Sequence, residues 1–235
     1  MDNSGSPMKA RFRRSAGSVP RGRARQDRYA LVLALLLANY SWGALPPTGT
    51  AGGACRLALF LLTLLLAVRT SRVPRGTARL VLALTTGGTL AVAVLLLAGA
   101  GVVGLGVLDA WMSVLMLVTV LVIVRRVLAH EVVTVNTILG ALSAYLLIGL
   151  MFAAIYGAVA KLGPTPFFSN NEPAGADVVQ YFSFTTLTTL GYGDFTAATN
   201  AGRSLAVLEA LIGQTFLVTL VARLVSAFRS PSDTR

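Results

Sequence analysis

Thr185-Thr186-Leu187-Thr188-Thr189-Leu190-Gly191-Tyr192-Gly193-Asp194 lies between two long apolar segments of a 235-residue chain. In a soluble protein such a run makes an ordinary turn. Here it is a polar gap in a chain built for lipid, which changes what its residues can do. A monovalent cation that leaves water must have its hydration shell replaced by oxygens. Backbone carbonyls serve if several successive peptide units point inward. Such a backbone places alternate residues in regions closed to a side chain with a Cβ, which calls for glycine. Gly191 and Gly193 have that spacing. Thr189 offers its carbonyl and its hydroxyl at the inner end. Leu190 and Tyr192 point away from the pore and pack behind it, and Asp194 attracts cations at the outer mouth.

Composition sets the environment. The chain is 55% hydrophobic and 12% charged, too apolar for a soluble domain of this size. Several apolar runs approach the length of about 20 residues that spans a bilayer as helix. The formal net charge is +11. Its arginines cluster between apolar runs, so orientation in a membrane accounts for them better than nucleic acid does. Cys55 is the single cysteine, which rules out an intrachain disulfide framework. No metal-ligand cluster is visible, and His130, close to Arg126 and Glu131, reads as a solvated interfacial residue. No nucleophile–base set or carboxylate pair points to an enzyme, and no cofactor is implied.

Taken in order, residues 1–28 are basic and rich in Gly, Ser and Pro. They read as a disordered cytoplasmic arm that sets topology and touches anionic lipid. Apolar segments follow at Tyr29–Leu45, Cys55–Val68, Leu80–Ala98 and Ala110–Val124, with a glycine-rich break from Gly99 through Gly106 and Asp109 before the fourth. The first two are short enough to be a tight helical hairpin. The fifth segment runs from Val132 to about Ala160. A polar turret follows over 163–176, then a short re-entrant helix over 177–188, and the sixth segment over 201–228. The expected domains are the arm 1–28, a four-helix membrane domain 29–131, a pore domain 132–229 and a short cytoplasmic tail 230–235.

Charge fixes the orientation. With the N-terminus cytoplasmic, the inside pieces carry 16 of the 18 arginines, and the outside pieces hold Asp109, Glu172, Asp177 and Asp194. That distribution meets the positive-inside rule and leaves Asp194 on the outer side. The excess of arginine over lysine, with abundant Ala, Leu and Gly, points to a GC-rich, bacterial genome and to the cytoplasmic membrane.

The quoted stretch resembles the selectivity filter of the tetrameric potassium-channel superfamily, usually T-V/I-G-Y-G-D. It matches at Thr189, Gly191, Tyr192, Gly193 and Asp194 and departs at Leu190. The residues from Val132 to Phe228 resemble that family's outer helix, pore helix, filter and inner helix. The resemblance implies an all-α membrane protein with six transmembrane helices, a re-entrant pore helix between the fifth and sixth, and a fourfold homotetramer around one pore. It implies K+ as the permeant ion, held by the carbonyls of Thr189, Leu190, Gly191 and Tyr192. It makes Tyr181, Phe182 and the following Ser183-Phe184 an aromatic cuff against a neighbouring subunit's filter. Thr185 and Thr188 become supports behind it, with Thr185 standing where many relatives place an acid that bonds the filter aspartate. Gly213 falls at the place of an inner-helix hinge glycine, the plainer alternative being a packing glycine. Gln214, Leu217 and Val221 then face the cavity and gate, or simply pack. Glu209 is an acid inside the sixth segment, costly there unless paired or functional, and expected to bond behind the filter, as to a pore-helix threonine. The fourth segment contains no row of positive charges, so little voltage sensing is expected. The tail is too short for a regulatory domain. Two alternatives stay open: a non-conducting channel-like scaffold, and a weakly selective cation channel with a filter loosened at Leu190.

Overall fold

A computed structural model describes residues 29–43, 49–70, 75–128 and 134–228. The arm expected over 1–28, the tail over 230–235, and Pro46, Pro47 and His130 lie outside these residues. The described residues form seven helices: α1 (Tyr29–Gly43), α2 (Gly49–Thr70), α3 (Arg75–Leu97), α4 (Gly101–Leu128), α5 (Val135–Leu162), α6 (Ala176–Leu187) and α7 (Asn200–Phe228). Among them the only extended pairing is an isolated antiparallel bridge between Phe168 and Ala197.

Among the described residues, three helices are long and apolar enough to cross a membrane: α4, α5 and α7 through Ser226. Among the described residues, further apolar helical stretches lie at Tyr29–Gly43, Ala58–Ala67 and Val81–Leu97.

α5 is the axis of the fold. Thr134 caps it: its hydroxyl accepts from the Thr137 amide at 3.3 Å, while its own amide donates to the Thr137 hydroxyl at 3.3 Å. This reciprocal pair satisfies two otherwise orphaned donors. α4, α1, α6 and α7 all pack on α5. Buried fractions separate the roles of the long helices: 67% of the most apolar stretch of α5 lies inside the chain, against 11% for α7. The α4 stripe facing inward is Met112, Leu115, Met116, Thr119, Val120, Ile123 and Val127, at the three-to-four spacing of one helical face.

Two boundaries differ from the sequence expectation. The break expected from Gly99 through Asp109 is confined to residues 98–100, and α4 starts at Gly101, not Ala110. A glycine inside a helix costs about 1 kcal/mol in water, but between lipid-embedded helices a missing side chain permits close approach. Gly104 and Gly106 are used that way. A Cβ on Gly106 would lie 2.7 Å from Leu162 Cγ, and one on Gly104 would lie 2.9 Å from Leu96 Cδ2. Asp109 therefore sits on α4 and pairs with Lys161 of α5. Likewise the stretch through Gly53 expected to be loop is the first turn of α2.

Candidate functional site

α6 ends at Leu187, and the chain from Thr188 to Asp194 leaves it as exposed, irregular backbone. Thr189, Gly191 and Gly193 have φ of 59°, 50° and 82°. Leu190 and Tyr192 between them do not have positive φ, so the backbone alternates in handedness residue by residue. The glycines take this conformation freely. Thr189 takes it at a cost, since left-handed backbone strains an L-residue by about 1–2 kcal/mol.

The amides show which way the peptides face. Thr189 N donates to Thr186 O at 2.9 Å, and Leu190 N and Gly191 N both donate to Thr185 O, at 2.8 and 3.1 Å. A trans peptide sets its carbonyl opposite its N–H. The carbonyls of Thr188, Thr189 and Leu190 therefore turn away from α6, toward the open side of the chain. The helix itself adds to this. Its C-terminal end, partially negative, abuts the start of the loop, and Asp177 occupies its first turn.

Behind the loop an aromatic cluster holds α6 in place. Phe182 packs edge-on against Tyr156 (5.0 Å between ring centroids) and Phe168 (5.4 Å). Phe167 and Phe168 come from the stretch expected to be a polar turret, and both are buried. That stretch also braces the chain beyond the loop. Ala198 N donates to Phe167 O at 2.8 Å and Ser169 N to Thr196 O at 2.9 Å, while Arg203 Nε of α7 donates to Ala197 O at 3.0 Å. Two adjacent phenylalanines in a polar run were the available signal for this anchor.

The outer end carries Asp194. Tyr181 Oη donates to its Oδ2 at 2.8 Å. That bond, with some burial and the nearby Asp194 charge, pushes the Tyr181 phenol above its ordinary value, so it stays the donor. Thr185 is not the group behind Asp194. Its hydroxyl donates to Phe182 O at 3.0 Å, because one turn of helix turns it back toward its own backbone; its carbonyl holds the loop instead. Thr188 Oγ1 likewise donates to Phe184 O at 2.7 Å.

On α7, Gln214 Nε2 lies 3.5 Å from Thr189 Oγ1, which turns this residue toward the inner end of the loop. Leu217, Val221 and Val225 are exposed, but so are Leu211, Ile212 and Val218, so exposure alone does not single out one face. Gly213 is buried against the end of α6. Glu209 is fully buried and bonds Ser183 of α6, not a threonine, together with Tyr156 of α5. These partners are 26 and 53 residues away in sequence, beyond reach of local pattern. Of the cuff, Phe182 and Phe184 are engaged within the chain, Phe184 against Tyr40 of α1 at 4.8 Å. Leu190 and Tyr192 project outward, 55% and 69% exposed in the single chain. Among the described residues no group of His, Cys, Asp and Glu could hold a metal ion.

Residues 144–230, from the middle of α5 to just past α7, match a protein family described as ion channel. Comparison with curated proteins and with solved structures gave no match. The family match supports an ion-conducting role for the α5–α7 region, a multi-pass membrane protein, and a transport rather than an enzymatic activity.

Proposed function

We propose that this chain is the subunit of a potassium-selective channel, in which four copies surround one pore and each contributes the carbonyls of residues 189–193. One observation carries the reading: the alternating backbone at Thr189, Gly191 and Gly193, with its amides tied back to Thr185 and Thr186. That arrangement presents successive carbonyl oxygens on one side, as a dehydrated cation needs. A single strand makes only one wall. The exposed Leu190 and Tyr192, and an α7 only 11% buried along its most apolar stretch, support closure by further copies. A fourfold ring puts the pore on the symmetry axis. Residues 29–131 then form a membrane domain around a pore domain over 132–229. The arm 1–28 meets anionic lipid at the cytoplasmic face, where both termini lie, and neither nucleic acid nor a cofactor takes part. Leu217 and Val221 line the inner cavity below Gln214. The absence of a row of charges in α4 supports weak voltage sensing.

The test is ion flux from liposomes holding the purified protein, first under a potassium and then under a sodium gradient. Potassium flux that barium blocks and Gly191→Ala abolishes is the expected result. Equal fluxes of both ions reject selectivity and leave a general cation pore. Silence in both gradients, from verified tetramers, favours the non-conducting scaffold.

A further inference from the structure

α7 carries one acid into the apolar interior. Glu209 is 0% exposed, and its two carboxyl oxygens reach two other helices. Tyr156 Oη of α5 donates to Oε2 at 2.6 Å, and Ser183 Oγ of α6 donates to Oε1 at 2.5 Å. Ser183 also lies 2.7 Å from Gly149 O of α5. One carboxyl group thus joins the outer helix, the pore helix and the inner helix at a single point. Among the described residues its partners are hydroxyls rather than cations. An acid placed there is expensive compared with a leucine, and such residues are functional by default.

We infer that Glu209 is a positioning residue for ion selectivity: with Tyr156 and Ser183 it clamps the pore helix in the register that shapes the filter. This rests on the channel reading above. The geometry runs in two steps. Ser183 lies one turn before Leu187, and Glu209 lies one turn before Gly213. Those later residues meet directly, since a Cβ on Gly213 would come within 2.6 Å of Leu187 O. Two contacts one turn apart fix both the height and the rotation of α6 against α7. The α5 side is equally close, with the Phe184 ring where a Gly149 side chain would be, 2.7 Å from its Cβ position. The end of α6 then holds the loop, because Thr185 O accepts the amides of Leu190 and Gly191. A slip of α6 moves the peptides whose carbonyls face the ion. Selectivity depends on the number and spacing of those oxygens.

The test compares Glu209→Ala and Glu209→Gln with the wild type in liposomes, reading the sodium-to-potassium permeability ratio from bi-ionic potentials and the thermal midpoint of the tetramer. Gln keeps an acceptor for Tyr156 and brings a donor to Ser183, whose single proton then goes to Gly149. The ratio is expected to rise about tenfold in the Ala variant, the worth of one net hydrogen bond, and to stay within about twofold in the Gln variant. Ala tetramers as selective as the wild type overturn the inference, even if they melt earlier. So does a Gln variant as unselective as the Ala variant. If the Ala variant fails to assemble, Tyr156→Phe and Ser183→Ala each remove one arm of the clamp, and an unchanged ratio in both overturns it. A wild type that passes neither ion sinks the channel reading, and this inference falls with it.

Discussion

Gly213 of α7 packs against the last carbonyl of α6: a Cβ on Gly213 would lie 2.6 Å from Leu187 O and 2.7 Å from Leu187 Cδ1. The carbonyl also accepts from Tyr145 Oη at 3.2 Å, so it cannot turn aside without losing a partner. Gly213→Ala therefore pushes α7 off α6. Overpacking of this kind costs about 1–3 kcal/mol, and the thermal midpoint should fall together with ion flux. A hinge role predicts something else, an unchanged midpoint with altered opening. Melting the variant beside flux assays separates the two.

Much of this architecture is written locally in the chain. The glycine spacing at 191 and 193 and the apolar runs that become α4, α5 and α7 are short-range patterns, which a reader can weigh residue by residue. What is not legible is what depends on distant partners. Nothing near Ser183 announces Glu209, and nothing near Phe167 announces Phe182. Gly104 and Gly106 mislead for a different reason. In water a glycine cluster favours a turn, whereas here their missing side chains admit Leu96, Lys161 and Leu162 against the helix. The positive φ of Thr189 also escapes a reading that gives left-handed backbone to glycine alone.

The first helix is tied to α6 by a side chain that sequence gives no reason to notice. Gln180 is buried in α6, and its Nε2 donates to Tyr40 O near the end of α1 at 2.9 Å. Gly43 makes room for it, since a Cβ there would lie 2.2 Å from Gln180 Oε1. Gln180→Leu removes the donor and leaves the half-buried Tyr40 carbonyl without it, a loss of about 1 kcal/mol. The variant should melt earlier in detergent and pass less potassium. An unchanged melt and unchanged flux would show that α1 merely leans on α6.

The pairing of α4 with α5 bears on voltage. A sensor helix must carry charge and must move. α4 has Arg125 and Arg126 only in its last turn, where they complement the helix dipole, and its single acid, Asp109, is paired with Lys161 across the seam. Gly106 and Gly157 bring the two helices together there: a Cβ on Gly157 would lie 2.7 Å from Asp109 Oδ2. Each charge that crosses the whole field gives about 2.3 kcal/mol per 100 mV, so steep gating needs several moving charges that this helix lacks. Conductance measured by voltage steps in planar bilayers should change little with potential. Lys161→Ala should lower the thermal midpoint by loosening the seam, and should leave the shallow voltage response as it is. A steep conductance–voltage curve in the wild type, flattened by Arg125→Gln or Arg126→Gln, would show that the end of α4 moves through the field after all.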